Sequence, residues 1–266
     1  MNKKLGFIGS GNMGSAMIGG ILSSKTLTAD DMYVSDLFEP SLEKVSKQFG
    51  VNTSTDNKYV AKQCNIIILS VKPKLYKTVI ADIKDAIADD AIVVTIAPGQ
   101  TIDMVTKMFG KEMKIVRTMP NTPAMVLEGM TAMCHNSLVS KEEFEFIKSI
   151  FESFGKVYEV QESLMNTVTG VSGSGPAYVY MFIEAMADSA VALGMTRDQA
   201  YTFAAQTVLG AAKMVIETGM HPAVLKDMVC SPGGTTIAAV NALEENGMRN
   251  AVIKAVAAAA NKSATA

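Results

Sequence analysis

The stretch Phe7-Ile8-Gly9-Ser10-Gly11-Asn12-Met13-Gly14 determines the fold that we predict for the N-terminal part of this chain. It begins in a short apolar run, Leu5–Ile8, and leads into a pattern in which Met13, Met17 and Ile21 share one helix face. A strand, a G-x-G-x-x-G loop and a helix in this order open a βαβ unit that holds the pyrophosphate of a dinucleotide. The stretch therefore predicts a Rossmann-type domain, the alternative being a tight turn that binds nothing.

Each glycine of this loop has its own predicted role. Gly9 permits the tight turn, Gly11 lets the backbone approach the pyrophosphate, and Gly14 lets the helix pack against the strand. The first turn of the helix offers free N–H groups and a partial positive charge to the phosphates. We therefore expect the glycines of this loop and the start of the helix to lie against the pyrophosphate.

Asp36 is the candidate for recognition of the adenosine ribose. It follows the second predicted strand, Met32–Ser35, about 20 residues beyond the glycine-rich loop, where an acidic side chain binds ribose hydroxyls. Its charge would repel a 2′-phosphate, and the neighbouring Leu37 and Phe38 supply no cation, although Ser35 could bond to a phosphate. These residues favour NADH over NADPH. The alternative is that Asp36 only caps the turn.

Strand-like and helical patterns alternate over roughly the first 160 residues, which predicts an α/β fold with a parallel, doubly wound sheet. The loops 70–73 and 97–99 follow central strands, so they should face the crevice where such sheets bind ligands. Lys72 is either a catalytic lysine or, with Pro73 fixing the loop beside it, a lysine close to the cofactor, and we favour the second. The predicted strands are 5–8, 32–35, 65–71, 91–97, 114–118 and 156–160.

The pattern becomes helical from about residue 162. Predicted helices cover 176–193, 197–217, 222–229, 236–245 and an alanine-rich end. Only six charged residues occur between Pro176 and Thr218, so these helices need cover on most sides, which a second subunit would provide. We therefore predict a dinucleotide-binding domain over 1–161 and an all-helical dimerisation and substrate-binding domain over 162–266.

The composition limits the possible partners and the compartment. A formal net charge of −2 without a long basic run argues against nucleic acid or an anionic membrane surface as a partner. The most apolar helical pattern contains two carboxylates and is a poor membrane span. Cys64, Cys134 and Cys230 show no spacing typical of a disulfide scaffold or a zinc site. We expect a cytoplasmic protein without a bound metal.

Candidates for acid–base catalysis are few. His135 lies in an apolar strand-like run and His221 precedes Pro222 at a helix start, so we expect structural roles for both. An alcohol dehydrogenase usually needs a base for the hydroxyl proton. A cyclic iminium already carries its proton, so a protein only has to hold it against the nicotinamide. The shortage of acids and bases therefore favours an imine substrate.

The stretch Ser231-Pro232-Gly233-Gly234-Thr235-Thr236 is the candidate substrate site. Two adjacent glycines can point successive N–H groups into one concavity, the following helix adds its N-terminal N–H groups, and the threonines add hydroxyls. Such a turn can hold a carboxylate without a charged side chain. From the local residues alone, a Pro-Gly turn with a threonine N-cap is an equally good interpretation.

Taken together, the motifs resemble those of pyrroline-5-carboxylate reductases over nearly the whole chain. The resemblance implies NADPH- or NADH-dependent reduction of 1-pyrroline-5-carboxylate to L-proline, the last step of proline biosynthesis. It also implies a Rossmann domain followed by a helical dimerisation domain, with dimers that assemble into decamers in some members. The motifs are residues 7–14, Val71-Lys72-Pro73, Arg117-Thr118-Met119-Pro120-Asn121-Thr122, Val171-Ser172-Gly173-Ser174-Gly175-Pro176-Ala177-Tyr178 and Ser231-Pro232-Gly233-Gly234-Thr235-Thr236-Ile237-Ala238.

Residue roles follow from the resemblance by position. Thr236 is implied to hydrogen-bond the ring nitrogen of the substrate, which makes it the candidate catalytic residue, and Asn166 is a further candidate for reaching the cofactor. Many bacterial members have Asn-Arg where this chain has Asp36-Leu37, and the missing arginine weakens the case for strict NADPH use. The implied substrate contacts are Ser231, Gly233, Gly234, Thr235 and Thr236. The implied cofactor contacts are Ile8, Gly9, Ser10, Gly11, Asn12, Met13, Gly14, Ser35, Asn57, Val71, Lys72, Pro73, Ala97 and Pro98.

Two other functions are compatible with parts of the sequence. The opening residues 6–14 are also similar to those of β-hydroxyacid dehydrogenases, but these enzymes have a catalytic lysine after the Rossmann domain, and residues 170–177 contain none. A sensor that binds NAD(P)H without turnover would not need the second ligand site that residues 233–236 predict.

Overall fold

Eight strands form one sheet in the computed structural model, which describes residues 4–265. The strands lie in the order β3-β2-β1-β4-β5-β6-β7-β8, so the strand order reverses between β1 and β4. That reversal is the place where a doubly wound sheet opens a crevice for a ligand. In chain order the strands are β1 (Leu5–Ile8), β2 (Met32–Ser35), β3 (Asn52–Ser54), β4 (Ile66–Leu69), β5 (Ile92–Thr95), β6 (Lys114–Met119), β7 (Gly129–His135) and β8 (Gly155–Glu159).

The six strands from β3 to β6 in this order are parallel, as predicted, but one edge of the sheet is not. Strand β7 is antiparallel to β6, and β8 runs parallel to β7. The predicted parallel sheet is therefore confirmed apart from this edge, where the β6–β7 pair is antiparallel. The reason is the short connection from β6 to β7, which contains only the 3₁₀ turn Thr122–Val126, whereas a parallel pair needs a crossover of about a dozen residues.

Helices cover both faces of the sheet, which confirms the α/β doubly wound class. Met17 and Ile21 of α1 and Phe151 of α6 belong to one apolar core. Ile80 of α4 and Val105 of α5 belong to the core on the other face. The helices are α1 (Asn12–Ser23), α2 (Glu39–Phe49), α3 (Asn57–Gln63), α4 (Tyr76–Ile83), α5 (Ile102–Phe109), α6 (Lys141–Glu152), α7 (Met165–Val168), α8 (Gly175–Ala192), α9 (Arg197–Thr218), α10 (Pro222–Met228), α11 (Thr235–Glu245) and α12 (Met248–Ala264).

Local capping sets where the helices beside the crevice begin. Asp56 accepts a hydrogen bond from Lys58 N at 2.8 Å and caps α3, and Thr101 accepts one from Met104 N at 3.1 Å and caps α5. A short polar side chain at the N-cap satisfies an N–H group that the helix itself leaves free. These caps fix the starts of two helices that follow crevice-facing loops.

Contacts divide the chain into two units. One contains the sheet and comprises the described residues up to Ser174 together with those from Ala258 onward, and the other is the helical segment Gly175–Ala257. The predicted domain boundary after residue 161 stays a prediction, and residues 1–3 and 266 of the predicted ranges lie outside the described residues. Among residues 4–265, no helix has the length and apolar character that a membrane span requires.

The helical segment is apolar on faces that the chain itself leaves exposed. Within it, the only buried hydrophobic residues are Ala187, Ala200 and Ala204. Large side chains such as Phe203 and Ile253 are more than half exposed, at 64% and 67%. A segment with so small an interior has too few apolar contacts of its own to hold long helices together.

We expect Gly20→Ala to destabilise the protein and Gly19→Ala not to. Both glycines lie in α1, where alanine favours the helix by about 1 kcal/mol. A Cβ atom at Gly20 would lie 2.6 Å from Phe154 Cβ, whereas one at Gly19 would meet only the ring edge of Phe49 at 3.3 Å. Overpacking costs about 1–3 kcal/mol. The midpoint of urea unfolding should be lower for Gly20→Ala than for Gly19→Ala. A midpoint for Gly20→Ala that equals or exceeds that of Gly19→Ala would contradict this packing.

Candidate active site

The glycine-rich loop lies between β1 and α1, and each glycine has a distinct geometric role. Gly9 has a φ of +103°, which favours glycine, and its N–H donates to Ser35 O at 2.7 Å. A Cβ atom at Gly14 would lie 2.8 Å from Gly9 O, so only glycine allows α1 to pack this closely. A Cβ atom at Gly11 would meet nothing within 4 Å. The space beside Gly11 is therefore open, which fits the close approach of a ligand.

The start of α1 is suited to an anion. Gly11 is the N-cap residue, no side chain caps the helix, and its first turn contains no acidic residue. The first N–H groups of a helix lack partners within the helix, and the dipole adds a partial positive charge. The start of α1 therefore offers phosphate oxygens a set of free N–H donors.

Asp36 joins the glycine-rich loop to the end of β2. Its Oδ2 accepts hydrogen bonds from the N–H and the hydroxyl of Ser10, both at 2.8 Å, and its Oδ1 accepts one from Phe38 N at 3.0 Å. The carboxylate thus caps the turn after β2, as the second interpretation of Asp36 predicts, and also holds the loop. Its contact with a ribose stays a prediction.

A chain of hydrogen bonds runs from β2 to α4. Ser35 Oγ donates to Asn57 Oδ1 at 2.8 Å, and Asn57 Nδ2 donates to Asp82 Oδ2 at 3.2 Å. Because a carboxylate only accepts, Asp82 determines which end of the Asn57 amide faces it, and Ser35 then has to donate. Two predicted cofactor residues are therefore oriented by Asp82, a residue that the sequence patterns did not single out.

The ends of β4 and β5 are joined to each other and to the glycine-rich loop. Ser70 Oγ, directly after β4, donates to Ile8 O at 3.1 Å and to Gly9 O. The fully buried Tyr76 donates to Leu69 O at 2.8 Å and accepts a hydrogen bond from Ile96 N at 3.4 Å. Burial raises the pKa of Tyr76 far above its usual value, so its phenol stays neutral.

The predicted residues after β4 and β5 lie in the loops that leave these neighbouring strands. Val71 and Pro98 are half-buried, Lys72 is exposed and Ala97 is buried. Pro73 begins the short 3₁₀ turn that leads into α4. Backbone and apolar surface thus dominate here, beside the exposed ammonium groups of Lys72 and Lys74. The binding role of Lys72 stays a prediction.

Asn121, from the motif after β6, connects two segments that are distant in sequence. Its Nδ2 donates to Ser172 O at 3.0 Å, and its Oδ1 accepts a hydrogen bond from Met130 N at 2.9 Å. Ser172 lies in the π-helical turn Thr169–Gly173, a rare conformation that occurs often at functional sites. The motifs around Asn121 and Ser172 are therefore in contact. Sequence spacing could not reveal this bond.

The stretch 231–236, in the helical segment, forms a tight turn at the start of α11. Gly234 N donates to Ser231 O at 3.0 Å, and Gly233 has a φ of +67°. Gly234 occupies the N-cap position of α11, without a capping side chain. The interpretation of this turn as a threonine N-cap is therefore wrong.

The threonines of this turn differ from others in the same segment. Thr202, Thr207 and Thr218 donate their hydroxyl groups to carbonyl oxygens one turn earlier. No comparable bond exists among the described residues for Thr235 or Thr236, because both lie in the first turn of α11 and no helical carbonyl precedes them by one turn. Their hydroxyls and the first N–H groups of α11 remain available to a ligand.

Neither histidine is placed for catalysis. His135 Nδ1 lies 2.8 Å from Asn136 O, and its ring centre lies 4.5 Å from that of Phe144. His221 Nδ1 accepts a hydrogen bond from Ala223 N at 3.2 Å and caps α10, as predicted. Desolvation raises the pKa of the Cys134 thiol to about 12, which favours the protonated thiol over the reactive thiolate. Within the described residues, no three His, Cys, Asp or Glu side chains form a group that could hold a metal ion.

Two protein-family models match the chain. The model described as pyrroline-5-carboxylate reductase dimerisation matches residues 162–266. The model described as NADP oxidoreductase, coenzyme F420-dependent, matches residues 4–99. The two matches fall on the helical end of the chain and on the beginning of the sheet, respectively.

Full-length relatives are similar to this chain. It is 49% identical to the pyrroline-5-carboxylate reductase of Escherichia coli over 266 residues, which covers 99% of this chain and 98% of the relative. It is 43% identical to that of Methanosarcina acetivorans, covering 98% and 97% of the two chains. The solved structure of Plasmodium falciparum pyrroline carboxylate reductase with NADP bound matches with a TM-score of 0.92 and 35% identity, covering 99% of this chain and 98% of that one.

We expect Gly11→Ala to weaken dinucleotide binding without destabilising the protein. The added methyl group meets no protein atom and Gly11 has a φ of −63°, so only a ligand would sense the change. The Kd for NADH, measured by NADH fluorescence, should rise at least about 10-fold, because the methyl group displaces a close contact. A 10-fold rise corresponds to about 1.4 kcal/mol of binding free energy. The melting temperature should stay the same.

Gly9→Ala is the matched control. Its φ of +103° and a Cβ position 2.7 Å from Ser70 O predict a lower melting temperature. Unchanged NADH binding by Gly11→Ala would exclude a ligand from the space beside Gly11.

Proposed function

This chain belongs to the pyrroline-5-carboxylate reductase family, and we propose that it reduces the cyclic imine 1-pyrroline-5-carboxylate to L-proline with NADPH or NADH. The observation that supports this best in the structure is the turn 231–236, with its unused hydroxyl and N–H donors. The test is oxidation of NADPH or NADH, followed at 340 nm, that depends on the imine. Turnover of 3-hydroxyisobutyrate instead of the imine, or no turnover, would contradict the proposal.

The residues present fit a bound dinucleotide. A Cβ atom would fill the open space beside Gly11, and the start of α1 provides N–H donors that no side chain uses. The bound nicotinamide supplies the hydride. The proposed contacts are Ile8, Gly9, Ser10, Gly11, Asn12, Met13, Gly14, Ser35, Asp36, Asn57, Val71, Lys72, Pro73, Ala97 and Pro98.

The substrate needs a carboxylate site and a hydrogen-bonding group for the ring nitrogen. We assign the carboxylate to the Gly233 N–H and to the free N–H groups in the first turn of α11, after the Gly234 N-cap, where the helix dipole favours an anion. The hydroxyl groups of Ser231 and Thr235 add further donors to this carboxylate site, and Thr236 forms a hydrogen bond with the ring nitrogen. Since the iminium carries its own proton, these residues bind and orient the substrate, and no protein acid or base is required.

We also propose a homodimer formed through the helical segment. Exposed apolar side chains on α8 to α12, for example Phe203 and Ile253, support it, and so does the match of a dimerisation family model to residues 162–266. The same match supports the domain boundary after residue 161. Assembly of such dimers into a decamer would be a further step.

We also propose a location in the cytoplasm. The three free cysteines support it, because that compartment is reducing.

We expect Thr236→Ala to lower kcat/KM for the imine by about 10- to 100-fold, through loss of one hydrogen bond to the reacting ring. The Kd for NADH should not change, because Thr236 is assigned to the substrate. Thr207→Ala is the control, since it removes a hydroxyl that donates to Phe203 O in the same helical segment. Unchanged kinetics of Thr236→Ala would remove this residue from the mechanism.

We expect Leu37→Arg to shift cofactor use toward NADPH. The Leu37 side chain is 83% exposed, so arginine should not disturb the fold, and it would place a guanidinium beside the proposed ribose site. A charge-assisted bond to the 2′-phosphate should raise the ratio of kcat/KM for NADPH to that for NADH about 10-fold. Leu37→Ala is the control for loss of the leucine. An unchanged ratio in Leu37→Arg would place the adenosine ribose elsewhere.

A further inference from the structure

Two buried side-chain oxygens in residues 4–265 have no hydrogen-bond partner, and both follow β5 closely. They are Thr95 Oγ1, in the last residue of this strand, and Gln100 Oε1, in the loop before α5. A buried polar atom without a partner is costly, and native proteins keep few of them unless a ligand or water supplies the partner. Their position at the carboxyl end of a central strand is where such sheets bind ligands.

Gln100 is the one of these two that reaches a cavity. It is only 5% exposed, and together with Lys72, Pro73 and Lys74 it lines a cavity of about 550 Å³ beside the loops that follow β4 and β5. No hydrogen bond among the described residues uses either end of its amide. Rotation of the amide therefore exchanges Oε1 and Nε2 without breaking a bond. The cavity adjoins Lys72 and Pro73, two proposed cofactor residues.

The topology indicates which half of a dinucleotide would lie here. A doubly wound sheet consists of two mononucleotide-binding halves, and the dinucleotide crosses between them where the strand order reverses. In this sheet the order reverses between β1 and β4. The glycine-rich loop and Asp36 lie at the β1–β2 side, where the adenosine half binds. The nicotinamide half then lies over the ends of β4 and β5, beside Gln100.

The nicotinamide ring has a carboxamide group, and this group complements the amide of a glutamine. Each amide has one acceptor oxygen and an NH₂ donor, so two of them can form a pair of N–H···O bonds. We propose that Gln100 binds the nicotinamide carboxamide, with Oε1 accepting from its NH₂ group and Nε2 donating to its oxygen. This pair fixes the rotation of the nicotinamide relative to the sheet. The inference rests on the proposed function, because it requires a bound dinucleotide.

Gln100→Leu tests the proposal because its two expected effects have opposite directions. Leucine is similar in size and removes the orphaned oxygen, so the melting temperature of the free protein should stay the same or rise. The Kd for NADH should rise about 5- to 20-fold through loss of the paired bonds. Gln63→Leu is the control, because Gln63 is exposed at the end of α3 and is not among the residues that line the cavity.

A modified cofactor identifies the group that Gln100 contacts. In the reduced 3-acetylpyridine analogue of NADH a methyl group replaces the amide NH₂, so Gln100 Oε1 would have no donor. The wild-type protein should bind the analogue about 3- to 10-fold more weakly than NADH, and Gln100→Leu should bind both alike. The ratio of the Kd for the analogue to the Kd for NADH should therefore differ between the wild-type protein and Gln100→Leu, and this difference measures the coupling between Gln100 and the carboxamide. Gln100→Ala, which has a smaller side chain, should likewise bind NADH and the analogue alike.

Three outcomes would overturn the proposal while leaving the proposed function in place. In the first, Gln100→Leu binds NADH as tightly as the wild-type protein does. In the second, Gln100→Leu weakens the binding of NADH and of the analogue by the same factor. In the third, the melting temperature of ligand-free Gln100→Leu is lower than that of the wild-type protein. The second would show that Gln100 contacts another part of the cofactor, and the third that it has a structural partner. Failure of the wild-type and Gln63→Leu proteins to bind either NADH or NADPH would overturn the proposed function and this inference together.

Discussion

The N-terminal site depends on the close packing of α1 against the loop that follows β1, where Gly14 approaches Gly9 O. The ends of three strands meet at Gly9, which follows β1. Its N–H donates to Ser35 O in the last residue of β2, and its carbonyl oxygen accepts from Ser70 Oγ directly after β4. A side chain at Gly14 would push the helix away from the same carbonyl. The loop therefore has its shape because the ends of three neighbouring strands hold one residue, Gly9, through both of its backbone polar groups. That residue lies where the strand order reverses, so the scaffold and the ligand crevice share the same residues.

The two proposed anion sites, each in its own unit, have the same physical basis. Helices α1 and α11 both begin at a glycine N-cap, Gly11 or Gly234, in extended conformation and without a capping side chain. Helices α3, α5 and α6 are capped instead by Asp56, Thr101 and Ser140. A side-chain cap would occupy the N–H groups that an anion requires. Leaving the first turn open costs some helix stability, and a bound phosphate or carboxylate offsets this cost.

The sequence predicts the segments in which local chemistry decides the structure. The order strand, glycine-rich loop and helix sets the first βαβ unit, and the change from short apolar runs to long helical patterns near residue 162 sets the fold class. The direction of β7 could not be predicted from its apolar residues, because it depends on the short connection after β6. The short β3 has the polar sequence Asn-Thr-Ser and no apolar alternation. Bonds between distant residues, such as Asn121 to Ser172 and Asn57 to Asp82, likewise leave no periodic pattern.

The two proposed anion-binding segments have a common property that local sequence patterns only suggested. Neither the loop 9–14 nor the turn 231–236 contains a titratable side chain. The large pKa shifts in the structure belong instead to groups that burial keeps neutral, namely Cys64, Cys134 and Tyr76. Tyr76 bridges the ends of β4 and β5, and because its pKa is raised it remains a neutral donor there throughout the physiological pH range. Under the proposed function these two segments contribute position and N–H or O–H donors, and the proton on the ring nitrogen would come with the substrate. A reaction that required the protein to remove a hydroxyl proton would need a base that neither of these segments contains.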